Sequence, residues 1–302
     1  MSGIQPNSGI RQSAFFLEGG KVALKDVIGI SRVLDPREPT NLTIAIITLM
    51  VGIIASGVQL ATGNALIDSA FWAVKAAGGV FLAWALSREI DPDHKFSAFV
   101  STGLAIISLF LVNAPGLLAL VWYLVIVRIL NQTTGLRATV IDATIALGLA
   151  IWLAFQFSWI YVPFSTFVFF LNWLLQREDL RQLIFAGISV IVAVVLGLAF
   201  QVPFAGLDPL GAGAIPWLPI TIVFIPVIFA SREVEATCDY TGKPLNPLRL
   251  QAAQVVALLT AILITLFIGI EGARSLLPLW MAFLGVALYR IGAWILKRAY
   301  YP

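Results

Sequence analysis

From Asn41 onward the chain is a succession of apolar segments, most of them long enough to cross a lipid bilayer. A hydrocarbon core of roughly 30 Å takes about 20 apolar residues in helical form. Lipid offers no hydrogen bonds, so such segments must satisfy their backbone groups internally, as helices. The composition agrees: of 302 residues 60% are hydrophobic and only 12% charged, where a soluble domain carries about 25% charged residues. This excludes a water-soluble globular chain and a disordered one. The expected fold is an all-α integral membrane protein of the plasma or inner membrane. It has about ten transmembrane helices in five antiparallel hairpins, with both termini cytoplasmic. The spans are expected near 42–61, 69–87, 96–112, 115–130, 138–155, 159–175, 182–200, 214–231, 250–269 and 276–296.

Two stretches decide the number of spans. Phe96–Val127 runs 32 residues without a charge, and Ala143–Gln176 runs 34. Each is too long for one crossing and slightly short for two. Asn113-Ala114-Pro115-Gly116 interrupts the first at its middle, and Gln156, Ser158 and Pro163 surround the middle of the second. If each is a hairpin, seventeen of the nineteen Lys and Arg residues fall on one side. Only Lys75 then lies within a span and only Arg274 lies outside. Such an excess marks the cytoplasmic side.

Residues 1–40 are expected to form a cytoplasmic segment, and 41–302 the transmembrane domain. Residues 1–13 are polar and do not read as a secretory signal. Residues 14–34 are amphipathic, with Leu24, Val27, Ile28 and Leu34 near one face, as for a helix lying in the interface. Asp35-Pro36 and Pro39 are expected to end it. The single cysteine, Cys238, excludes an intramolecular disulfide. The single histidine, His94, excludes a multi-histidine metal centre. The net charge of +3 reports orientation, and no nucleic-acid partner is expected. The partners implied are the bilayer and other membrane proteins.

The even-numbered spans end alike, with arginines at 88, 128, 177, 232 and 290. Ser87-Arg88-Glu89 matches Ser231-Arg232-Glu233, and Gln176-Arg177-Glu178 is close. This is the pattern of an internal hairpin repeat. Positive-inside bias and the helix dipole alone also place arginine there.

Charges within a bilayer are functional candidates by default, and two occur. Lys75 reads as a snorkelling lysine or a site residue. Asp142 reads as a helix cap or a site residue. Asp68 is expected to cap the second span. The remaining candidates are loop residues of the cytoplasmic face: Arg88, Glu89, Asp91, Asp93, Arg177, Glu178, Arg232, Glu233, Asp239 and Lys243. Carboxylates spaced by two, such as Glu89 and Asp91, can share Mg²⁺, and nearby Arg or Lys can hold diphosphate oxygens. No catalytic residue is assigned.

Arg88-Glu89-Ile90-Asp91 resembles the ending of the first Asp-rich motif of the membrane prenyltransferases of quinone biosynthesis. Asp239-Tyr240 with Gly242-Lys243 resembles their second. The family's Asn-Asp and Asp positions fall on Ala83, Trp84 and Ser87, and the likeness spans about twenty residues. No catalytic residue carries over. The function expected first is handling of a lipid or isoprenoid-type substrate at the cytoplasmic face. The alternatives are a ten-span transporter of a small or hydrophobic metabolite, and a non-catalytic subunit or scaffold of a membrane complex.

Overall fold

A computed structural model of the chain describes residues 28–32, 34–110, 115–201 and 215–300. Eleven α-helices occur among them: α1 Pro39–Ala61, α2 Leu66–Ile90, α3 Ser97–Ser108, α4 Leu117–Asn131, α5 Val140–Gln156, α6 Tyr161–Leu175, α7 Leu180–Leu198, α8 Leu218–Ala230, α9 Pro247–Ile268, α10 Ile270–Ser275 and α11 Leu277–Tyr300. A 3₁₀ turn, Ile215–Trp217, precedes α8. Among the described residues there is no strand, only an isolated bridge between Thr237 and Pro244.

Five helices, α1, α2, α7, α9 and α11, are long and apolar enough to cross a membrane. The other apolar helices run 10–17 residues. Each of the two charge-free stretches is divided into two helices, α3 with α4 and α5 with α6. The breaks fall where Pro115-Gly116 and Ser158 interrupt the apolar pattern.

The outer surface is that of a protein immersed in lipid. On α1, Leu49 is 65% exposed and Ile53 59%, and on α7 Ile191 is 65% exposed. Apolar area on this scale is untenable in water. The interior is built on α4, whose Leu120, Trp122, Tyr123, Ile126 and Val127 are fully buried. Ala253, Ala257 and Ala261 recur every four residues on α9 and are also fully buried. Such a stripe lets α9 lie close to α4. Trp122 donates to Ser165 Oγ at 3.1 Å, tying α4 to α6. Phe224 of α8 meets Phe283 of α11 at 4.6 Å between ring centroids.

The helix ends follow local chemistry. Pro39 and Pro247 open α1 and α9 from the first turn, where the missing N–H costs nothing. Asn246 caps α9 by accepting from Leu248 and Arg249 N–H. Thr139 and Asp142 form a reciprocal capping box at α5. Asp68 sits in the first turn of α2 but makes no cap bond. Most of the amphipathic helix expected over 14–34 lies outside the described residues. Residues 28–32 are turn and irregular chain.

The connections after α2, α4, α6 and α8 gather at one end of the bundle. Asp239 and Tyr240 N–H donate to the carbonyls of Thr133 and Thr134. Gln132 donates to Gln176 at 3.3 Å, and Arg137 pairs with Glu178 at 3.1 Å. The segment around residues 28–32 is pinned across them. Gly29 N–H donates to Asp142 at 3.0 Å, Thr134 Oγ1 to Gly29 O at 2.9 Å, and Tyr240 Oη to Ser31 O at 3.1 Å. A Cβ at residue 29 would collide with the Arg137 carbonyl, so only glycine permits this approach.

Candidate functional site

The gathered loops enclose a cavity of about 860 Å³ at the end of α2. Two helices build its wall in the same way. On α2, Phe81, Trp84 and Ala85 lie below Arg88, at helical spacings of three and four. On α4, Leu124 lies one turn below Arg128. An apolar floor therefore rises to the helix-end guanidinium groups of Arg88 and Arg128. The rim comes from Arg32, Glu38 and Asn41, from Asp93 and Lys95, and from Glu235, Asp239 and Tyr240.

Glu89 is the fixed point of this end. It is fully buried. Its carboxylate accepts from Arg128 Nε at 2.8 Å, Thr133 Oγ1 at 2.6 Å, Asn131 Nδ2 at 3.2 Å and Arg32 Nη1 at 3.5 Å. A buried charge needs this many partners to offset its lost hydration. The open carbonyls at the end of α2 are also satisfied: Asn131 donates to Glu89 O at 3.0 Å and Gln254 to Ile90 O at 2.7 Å.

Asp91, fully buried, lies behind the cavity wall and not on it. Its Oδ1 accepts from Arg290 of α11 at 2.7 Å and faces His94 Nδ1 at 3.0 Å. Burial alone would raise the Asp91 carboxyl. The His94 hydrogen bond and the Arg290 guanidinium outweigh it and hold the group below the usual carboxylate range. The same bond raises His94 above its ordinary value, against the opposing effect of burial. Asp239 grips Arg32 with both oxygens, at 2.8 and 3.0 Å. Burial still pushes the Asp239 carboxyl up. Asp93 Oδ1 accepts the N–H groups of Glu235 at 3.1 Å and Ala236 at 2.8 Å, joining the loops after α2 and α8. Lys95 pairs with Glu38 at 3.1 Å.

Of the residues singled out in the sequence, Arg88, Glu89, Asp93 and Asp239 line one cavity. The others are elsewhere. Glu178 pairs with Arg137 on the surface, and Arg232 stacks over Phe229 at 5.5 Å. Arg177 and Glu233 have no ion pair among the described residues, and Lys243 contributes only its carbonyl, to Cys238 N–H. Lys75 faces outward on α2. Asp142 is a cap and an anchor for Gly29. Sequence reasoning missed Arg32, Arg128 and Arg290 as partners of the carboxylates, and Phe81 and Leu124 as floor. Phe81 with Arg88, and Leu124 with Arg128, carried the signal: an apolar residue one or two turns before a helix-end arginine.

Among the described residues no group of three or more His, Cys, Asp or Glu side chains is placed to hold a metal ion. Comparison with known proteins finds no match: no family model, no curated protein and no solved structure matches this chain.

Proposed function

We propose that this helical, multi-pass membrane protein binds an anionic lipid or isoprenoid-type amphiphile in the cavity at the end of α2. In this reading the five shorter apolar helices cross the bilayer together with the five longer ones. The loop-bearing end, rich in Arg and Lys, then faces the cytoplasm.

The observation that carries the proposal is the graded wall. Phe81, Trp84, Ala85 and Leu124 offer a chain-binding floor, and Arg88 and Arg128 stand one turn above it. An amphiphile with an anionic head matches both ends at once. The volume lies in the range of small-molecule sites, roughly 300–1,000 Å³.

The test is ligand-dependent thermal stabilisation of the purified protein by prenyl diphosphates and by single-chain lipid phosphates. A ligand bound only to the folded state at 100 times its Kd adds about 2.7 kcal/mol. Stabilisation that grows with chain length supports the reading. An unfolding temperature unmoved by any anionic amphiphile contradicts it.

A further inference from the structure

Most carboxylates on the cavity wall are already engaged. Glu89 has four donors, Asp239 forks Arg32, Glu38 holds Lys95, and Asp93 Oδ1 takes two backbone N–H groups. Of the four cations on the wall, Arg32, Lys95 and Arg128 pair with these carboxylates and Arg88 does not. Arg88 makes no hydrogen bond or ion pair among the described residues, and its Nη1 is out of contact with water. Arg88 is partly buried, and the carboxylates of Asp239, Glu89 and Glu38 act on it only through space, so its guanidinium hydrogen bonds are left for an anion that something else supplies. Two further donors belong to side chains of the same cavity wall. The Trp84 indole N–H, one turn below on α2, is buried and unpartnered. Arg128 commits only its Nε to Glu89, and its Nη groups have no partner among the described residues.

We propose that the cavity holds the phosphate head of its ligand directly on the Arg88 guanidinium, without a bridging divalent cation. The Arg128 Nη groups complete the donor set. This inference rests on the amphiphile reading above and names its head group and its recognising residue. A guanidinium meets phosphate oxygens in a two-pronged fork. A second guanidinium on the facing helix suits a dianion better than a carboxylate. Mg²⁺, the cation that Glu89 and Asp91 suggest by spacing, would have to displace Arg128 from the one. It would also have to reach the other behind the wall.

The test uses the full chain in maltoside micelles and titration calorimetry with dodecyl phosphate, dodecanoate and inorganic phosphate. Each is run in EDTA and again in Mg²⁺. The wild type binds dodecyl phosphate most tightly, with the same Kd in both media. Arg88→Gln loses about tenfold or more of that affinity, and Arg88→Lys falls between. In the absence of ligand Arg88→Gln unfolds at the same temperature or higher, because a partly desolvated guanidinium with no hydrogen bond to offset it has gone. A merely structural arginine would lower it. Undiminished affinity in Arg88→Gln, or binding abolished by EDTA and restored by Mg²⁺, overturns the inference and leaves the amphiphile reading standing. Wild type that binds none of the three overturns both. Inorganic phosphate bound as tightly as dodecyl phosphate supports the phosphate site and removes the apolar chain from the ligand.

Discussion

The Glu89–Arg128 pair is the sharpest handle on how this end of the molecule is held together. At an effective dielectric constant near 20, unit charges about 4 Å apart attract by about 4 kcal/mol. Removing one partner of a buried pair costs about 3–5 kcal/mol. Arg128→Met leaves Glu89 with Thr133, Asn131 and the more distant Arg32, so about 3 kcal/mol is expected. Glu89→Leu removes the charge itself. Arg128 is 18% exposed and regains some water, while Thr133 loses its acceptor. Again about 3 kcal/mol is expected. The double variant removes both charges together. What remains is the orphaned Thr133 hydroxyl and a weaker hold on Arg32, so its cost is about 3–4 kcal/mol and the coupling about 2–3 kcal/mol. Reversible unfolding in mixed micelles titrated with dodecyl sulfate, followed by tryptophan fluorescence, reads all four proteins. Costs that simply add, within about 0.5 kcal/mol, would refute the pairing.

Other outcomes follow from particular contacts. A Cβ at Gly285 would fall 2.5 Å from Ser101 Cα, where α11 crosses α3. Gly285→Ala should therefore destabilise by about 1–3 kcal/mol. Gly103→Ala and Gly148→Ala meet open space in their helices and should be neutral or stabilising by up to about 1 kcal/mol. The same unfolding assay ranks them. His94 is raised in the fold by Asp91. Its contribution is therefore fully present below its unfolded value, about 6.5, and is lost as pH rises through the raised value. The stability difference between wild type and His94→Gln should be larger at acid pH than at alkaline pH, and a difference that grows with pH would contradict the Asp91–His94 geometry. Arg249 is buried and donates to Leu130 O, Asn172 and Gln176. Arg249→Lys loses the fork and should cost about 1.5–3 kcal/mol by the same assay.

The helices were largely legible because lipid leaves a segment few alternatives. The two long charge-free stretches break where Pro115-Gly116 and Ser158 interrupt them. The end of α2 was also legible, since Arg88-Glu89-Ile90-Asp91 concentrates charge in an apolar chain. The partners were not. Arg128, Arg177, Arg232 and Arg290 look alike in sequence, yet Arg128 and Arg290 turn inward to carboxylates while Arg177 and Arg232 do not. Which side of a helix end faces the bundle is set by packing from distant segments, and no local pattern records it. Asp142 was a matter of weighing a pattern that was present. Thr139-Val140-Ile141-Asp142 has the spacing of a capping box, and that is its role. Arg32 belongs to a segment whose path across the loops depends on Gly29, which carries no charge or motif to announce it.

As proposed, the cavity at the end of α2 takes an anionic amphiphile with its chain on Phe81, Trp84 and Leu124. The most direct measurement is photolabelling in maltoside micelles with an alkyl phosphate carrying a diazirine in its chain, the modified residues being mapped by mass spectrometry. Label is expected on Phe81, Trp84 and Leu124, competed away by unlabelled alkyl phosphate. Label spread over the lipid-facing Leu49, Ile53 and Ile191, with none of it competed from the cavity wall, would contradict it.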